Sequence, residues 1–245
     1  MVLDPHRAFV EHPGGISINI VEEGGAYKDQ LAPFRSITQG RIVPFSGTAF
    51  RLPLRTSHQA TSSRISDKAT HVTELREILR GFVSKDLESV ILFLKHITSI
   101  EVRRIDSLGK VSILGKVEID KLDILHNSGH VHRTITLSTG DGTFTRRKWF
   151  FYHHHIEKDE ASRLISPRLQ YDVKDRLSQE KLTPGVEIAF PLEGPNVGGA
   201  LFTLLPLPIN LPGSLFHLNA TFALTPDRQN LKKKQEVGDL RSRER

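Results

Sequence analysis

The chain has 245 residues, 38% of them hydrophobic and 25% charged, ordinary globular values that exclude wholesale disorder. Cysteine is absent, which excludes disulfide scaffolds, thiolate metal centres and cysteine nucleophiles and suits a reducing compartment, the cytoplasm or the nucleus. The net charge is +6, but residues 228–245 hold seven Lys/Arg against three Asp/Glu. Most of the excess is therefore a basic tail and does not argue for nucleic-acid binding by the nearly neutral body.

Taken in chain order, residues 1–55 are broken by Gly14-Gly15, Gly24-Gly25, Pro33, Gly40 and Pro44. Between these breaks, Ile16 to Val21 alternates with period 2 and Gly47 to Leu54 reads as extended. Residues 56–66 read as a polar loop. Asp67 suits an N-cap, and Val72, Leu75, Leu79 and Phe82 then form one apolar helical face. Gly81 weakens the end of this helix, and Asp86 is placed to cap a second one with Leu87, Val90, Ile91 and Leu94 inward.

After Lys95 the period changes from 3.6 to 2. The segment around Ile100 to Arg104 is a strand, Ser107 to Lys110 a turn, and Val111 to Ile119 a returning strand with an irregularity at Leu114-Gly115. Further strands are expected at His130 to Leu137, Thr143 to His153, Val186 to Leu192, Ala200 to Leu205 and Ser214 to Ala223. Residues 157–183 read as a loop or a surface helix. The pattern is α+β: a broken β entry, a helical pair, then a mostly antiparallel sheet. No apolar run approaches ~18 residues, so no membrane span is expected. The first ten residues show no charged-then-apolar leader pattern.

Three groups of residues could carry chemistry. His153-His154-His155 puts His153 and His155 on one strand face, with His126, His130 and His132 upstream. Two imidazoles on one face can bind zinc or nickel, but no carboxylate stands at a ligand spacing, and the ordinary reading is a polar strand end with no metal. Arg146, Arg147 and Lys148 beside Trp149, Phe150, Phe151 and Tyr152 could neutralise and stack on a single-stranded nucleic acid. The ordinary reading is a strand with aromatics inward and cations outward. Ser46-Gly47-Thr48 could bring backbone close to a ligand. No Walker, GxGxxG, GxSxG or HExxH pattern occurs.

Several stretches together resemble a known family. These are Leu3-Asp4-Pro5-His6, Asp29 to Phe34, Gly47 to Arg55, Val90 to Ile97 with Ile100-Glu101-Val102, Phe202 to Pro208 and Ala223 to Arg228. In order and spacing they resemble sacsin-type repeats, which are similar to the ATPase region of heat-shock chaperones of the GHKL class. The resemblance implies the C-terminal part of a GHKL-type α/β sandwich in residues 1–66. It implies a helical connector in 67–96, a second α/β domain with a mostly antiparallel sheet in 97–227, and a basic tail in 228–245. It implies ATP and magnesium as ancestral ligands, Gly47 and Thr48 on the adenine side, and Arg228 as the arginine facing the γ-phosphate. Gln229 stands where the family pattern has a second arginine.

The resemblance puts the phosphate-binding and magnesium motifs ahead of Asp4. The expectation is therefore a chaperone-related protein that holds no nucleotide and is no enzyme by itself. Its expected partners are other proteins, clients or co-chaperones, with no membrane or nucleic acid. A sandwich without its first half leaves sheet edges open to self-association. The alternative is a protein-binding scaffold with no nucleotide role.

Overall fold

The computed structural model describes residues 2–4, 14–16, 22, 25, 28–36, 47–63, 66–120, 129–157, 185–195, 198–222, 224, 225, 227 and 229–231. The chain divides into two compact units, Met1–Val72 and Thr73–Arg245. The expected strand at Ile16 to Val21 meets the described residues only at Ile16, and the expected loop or helix at 157–183 falls almost wholly outside them.

In the first unit β1 (Val2–Asp4) pairs antiparallel with β2 (Gly14–Ile16). A short helix α1 (Lys28–Leu31) runs into a 3-10 turn at Ala32–Ser36. Residues 48–56 have no strand assignment, so the extended segment there is not a ladder member. Within 56–66, read as a loop, lies helix α2 (Ser57–Thr61). Thr56 and Gln59 close a capping box: the Thr56 hydroxyl accepts from the Gln59 N–H at 3.3 Å, and the Gln59 side chain accepts from the Thr56 N–H at 3.0 Å. This satisfies two of the donors that a helix start leaves open. Asp67 caps nothing. It lies in a stretch tied back to Arg55, whose guanidinium donates to the Ser66 carbonyl at 2.8 Å and whose carbonyl accepts from the Thr70 N–H at 3.4 Å.

The second unit opens within α3 (Val72–Gly81), which is followed by a π-helical turn (Phe82–Asp86) and α4 (Leu87–Val90). Gly81 keeps helical angles of −58° and −46°, so the helix continues through it, and Asp86 makes no side-chain cap bond. Val83, Leu87 and Ile91 recur every four residues, and burying them on the sheet offsets the helix penalty of glycine. Among the described residues no helix is long and apolar enough to cross a membrane.

Eight strands form one sheet: β3 (Ser99–Ile105), β4 (Val111–Ile119), β5 (Gly129–Thr139), β6 (Phe144–His155), β7 (Gly185–Pro191), β8 (Gly199–Thr203), β9 (Leu205–Leu211) and β10 (His217–Ala220). Their order is β3-β4-β5-β6-β7-β10-β8-β9. The first five form an antiparallel meander. β10 then inserts between β7 and β8, antiparallel to the first and parallel to the second. The protein is thus α+β with a mostly antiparallel sheet. The irregularity expected at Leu114-Gly115 is a bulge, since Val102 pairs with Gly115 and Arg103 with Ile113, leaving Leu114 over. The strand expected at Ala200 to Leu205 breaks at Leu204, and β9 follows despite Pro206 and Pro208 because it is the edge of the sheet.

The core lies on one face of this sheet. Val83, Leu87, Ile91, Leu92 and Phe93 from the helical segment meet Val117, Ile119, Ile135, Trp149, Phe151, Ala189 and Phe202. Phe93 stands edge-on to Phe151 and Phe202, with ring centroids 6.3 and 5.0 Å apart. Gly115 is where helix and sheet approach most closely. A Cβ there would lie 2.6 Å from Val83 Cγ1 and 3.0 Å from Leu87 Cδ2. Gly115→Ala is therefore expected to destabilise the unit by about 1–3 kcal/mol, the usual cost of overpacking. Urea denaturation followed by circular dichroism checks this, and an unchanged midpoint would show that the helix can shift freely.

Candidate functional site

Gly47 and Thr48, expected on the adenine side of a nucleotide pocket, are both exposed. Gly47 has φ 144°, a conformation that other residues resist. Arg228 lies outside the described residues. Its neighbours form a closed loop: the Asp227 carboxylate accepts from the Thr225 hydroxyl and, at 3.0 Å, from the Gln229 N–H, and Leu224 bridges to Leu231. Those two bonds, the hydroxyl first, hold the Asp227 carboxyl below the usual range. Gln229 thus contributes backbone to this loop.

The strand geometry of β6 sorts the other candidates. Arg147, Trp149, Phe151, His153 and His155 face the core side, while Arg146, Lys148, Phe150, Tyr152 and His154 face the other. The histidine triplet is accordingly split. His153 Nδ1 lies 3.3 Å from Glu187 Oε1, and His155 Nε2 lies 3.8 Å from Glu157 Oε1. The other Glu187 oxygen accepts from Asn219 Nδ2 at 2.5 Å, and Asn219 Oδ1 accepts from the Leu204 N–H at 2.8 Å. Asn219 is 8% exposed. This chain of contacts links β6, β7 and β10 to the β8–β9 turn, where Leu204 is held at φ 70°. A non-glycine residue resists that angle, so the buried amide pins the turn. Among the described residues no three His, Asp or Glu side chains come together as a metal site.

The basic–aromatic run is divided too. Arg147 turns inward, where its guanidinium lies 3.3 Å from Glu88 of α4, and the same carboxylate accepts from Trp149 Nε1 at 3.3 Å. Aromatics are not all inward: Phe150 and Tyr152 share the open face with Arg146 and Lys148. Phe150 stacks on His130 at 5.6 Å and 16°, and packs against His132 at 5.5 Å and Phe190 at 4.9 Å. Beyond this aromatic patch Thr134, Arg146, Lys148 and Glu193 line a pocket of ≈ 300 Å³. The open face therefore offers apolar rings beside two exposed cations, suited to an acidic or amphipathic chain.

Sequence reasoning placed the histidines and the cations but missed Glu187, Asn219 and Glu88. No local spacing signals these partners, since Asn219 and Glu187 are 32 residues apart and Glu88 and Trp149 are 61 apart.

Comparison with known proteins gives two matches. Residues 1–112 match the family model described as the Sacsin domain. Sacsin of Homo sapiens is 26% identical over 94% of this chain, and the chain spans about 6% of the length of that relative. No solved structure matches the chain.

Proposed function

The chain carries a sacsin-type region, and from that premise we propose that it is a chaperone-related protein-binding module of GHKL ancestry that does not hydrolyse ATP by itself. The observation that carries the binding half of this reading is the asymmetry of the sheet. One face is sealed by the helical segment, and the other presents Arg146, Lys148, Phe150 and Tyr152. A surface that pairs rings with cations takes up acidic and apolar peptide segments, because ring burial supplies affinity and the cations add orientation and encounter rate.

The nucleotide half rests on Gly47 and Thr48 as ancestral adenine-side residues, with Arg228 as the ancestral γ-phosphate arginine. Gly47 and Thr48 are both exposed. Phosphoryl transfer needs a metal, an oriented water and donors around the γ-phosphate, and this sequence has no motif for that set. Clients or co-chaperones in the cytoplasm, or in the nucleus, are the partners this reading implies.

The purified chain is expected to slow aggregation of a thermally unfolding client protein without nucleotide, measured by light scattering. Arg146→Glu with Lys148→Glu should weaken that effect several-fold without altering the melting temperature. No phosphate release from ATP above buffer is expected. An unchanged aggregation rate would overturn the binding half, and steady ATP turnover would overturn the nucleotide half.

A further inference from the structure

We propose that β3 is a self-pairing sheet edge, through which two copies of this chain join antiparallel about Val102. β3 is the terminal strand of the sheet, and among the described residues it pairs only with β4. The opposite edge, β9, carries Pro206 and Pro208, which lack N–H donors and blunt it against pairing. β3 has no proline.

Its free hydrogen-bonding groups can be assigned. The Thr98 carbonyl accepts from the Ile119 N–H at 2.9 Å, and the Asp106 N–H donates to Lys110 at 3.1 Å. Even-numbered residues along β3 thus turn their backbone toward β4. Ser99, Glu101, Arg103 and Ile105 turn theirs outward, because antiparallel strands alternate in this way. An added strand must meet these odd-numbered residues.

A second copy meets them best in one register. With the two-fold axis at Val102, Ser99 lies opposite the partner's Ile105, and Glu101 opposite the partner's Arg103. Every outward group of the strand is then paired, and opposite charges face each other twice, once on each side of the axis. An axis at Arg103 would oppose two arginines, and one at Glu101 two glutamates. Axes at Ile100 or Arg104 would leave part of the strand unpaired.

In the Val102 register the half-buried Val102 packs against its own copy as a close non-hydrogen-bonded pair. Ile105, 44% exposed at the end of the strand, comes to lie beside the partner's Ser99 and is covered by the seam. Glu101 and Arg103 already pair within one strand, so both side chains lie on the face where the exchange occurs. The complementarity resides in β3 itself, and the inference is independent of the proposed client binding.

The test is the oligomeric state of the full chain by sedimentation equilibrium at low ionic strength. Wild type is expected to dimerise with concentration. Glu101→Arg and Arg103→Glu alone should each weaken dimerisation about tenfold or more, since each puts like charges opposite one another on both sides of the axis. An equimolar mixture of the two single variants should recover a heterodimer by native mass spectrometry, and the E101R/R103E double variant should recover a homodimer. Unchanged melting temperatures show that the variants are folded. A wild type that stays monomeric at roughly 200 μM would overturn the proposal, because even weak specific dimers associate in that range. So would a dimer that survives both single substitutions, or a mixture that does not recover.

Discussion

Trp149→Ala is expected to destabilise the second unit by about 3–5 kcal/mol, the usual cost of emptying a large buried aromatic site. Trp149 is 1% exposed and sits in the central strand β6, where neighbours on both sides hold the backbone in place and limit collapse. Its ring stacks on His217, with centroids 5.7 Å apart and planes at 25°. Its Nε1 donates to Glu88, the carboxylate that also faces Arg147. Truncation therefore removes apolar contact on the sheet and one anchor of the helical segment together. Trp149→Phe should cost less, since it keeps most of the ring and loses the N–H bond, worth about 1 kcal/mol. Trp149 is the single tryptophan, so wild-type fluorescence reports unfolding at this site, and urea titration by circular dichroism compares the variants. A loss below about 1 kcal/mol for Trp149→Ala would mean that the helix–sheet core is not packed around this ring.

The same residue shows what a sequence can and cannot reveal. The change of period after Lys95 marks the start of the sheet, because alternation reflects which side of a pleat meets the core. The irregularity at Leu114-Gly115 was legible for the same reason: two residues break the alternation, and the ladder absorbs Leu114 as a bulge. Local capping signals misled, at Asp86, which makes no cap bond, and at Asp67. Thr56 and Gln59 have capping-box spacing, while Asp67 is a better isolated N-cap residue that starts no helix. The strand expected at Ala200 to Leu205 ends at Thr203, and β9 then runs through Pro206 and Pro208 as an edge strand, an edge position being a property of the assembled sheet. The sacsin-type region was legible only through resemblance, from several stretches in order rather than from any one local spacing. The network of His153, Glu187, Asn219 and Leu204 was out of reach, since it exists only because β10 inserts between β7 and β8. Non-local pairing of this kind leaves no trace in local periodicity.

Stability is expected to fall as pH drops from about 6.5 toward 4, and His217 is expected to cause much of that fall. His217 is 5% exposed, lies between Trp149 and Phe202, and has no hydrogen-bond partner at Nδ1. Burial lowers its pKa from 6.5 to about 4, because the cation would lose its hydration among aromatic rings. The carboxylates of this neighbourhood are engaged elsewhere, Glu88 with Arg147 and Trp149, and Glu187 with Asn219 and His153. The unfolded chain binds a proton at this histidine near pH 6.5, while the folded chain resists it until about 4. Unfolding therefore takes up a proton in that window. The contribution of the neutral buried form is complete above 6.5 and is lost progressively as pH falls toward 4. The gap corresponds to about 3 kcal/mol at most. His217→Phe keeps a ring between Trp149 and Phe202 and cannot be protonated. Its stability at pH 7 should stay within about 1.5 kcal/mol of wild type, and its advantage over wild type should grow as the solution is acidified to pH 4.5. Subtracting the two stability–pH curves removes the other histidines and the carboxylates, which both proteins share. Curves that run parallel from pH 7 to 4.5 would show that His217 is not the proton-linked group of this core.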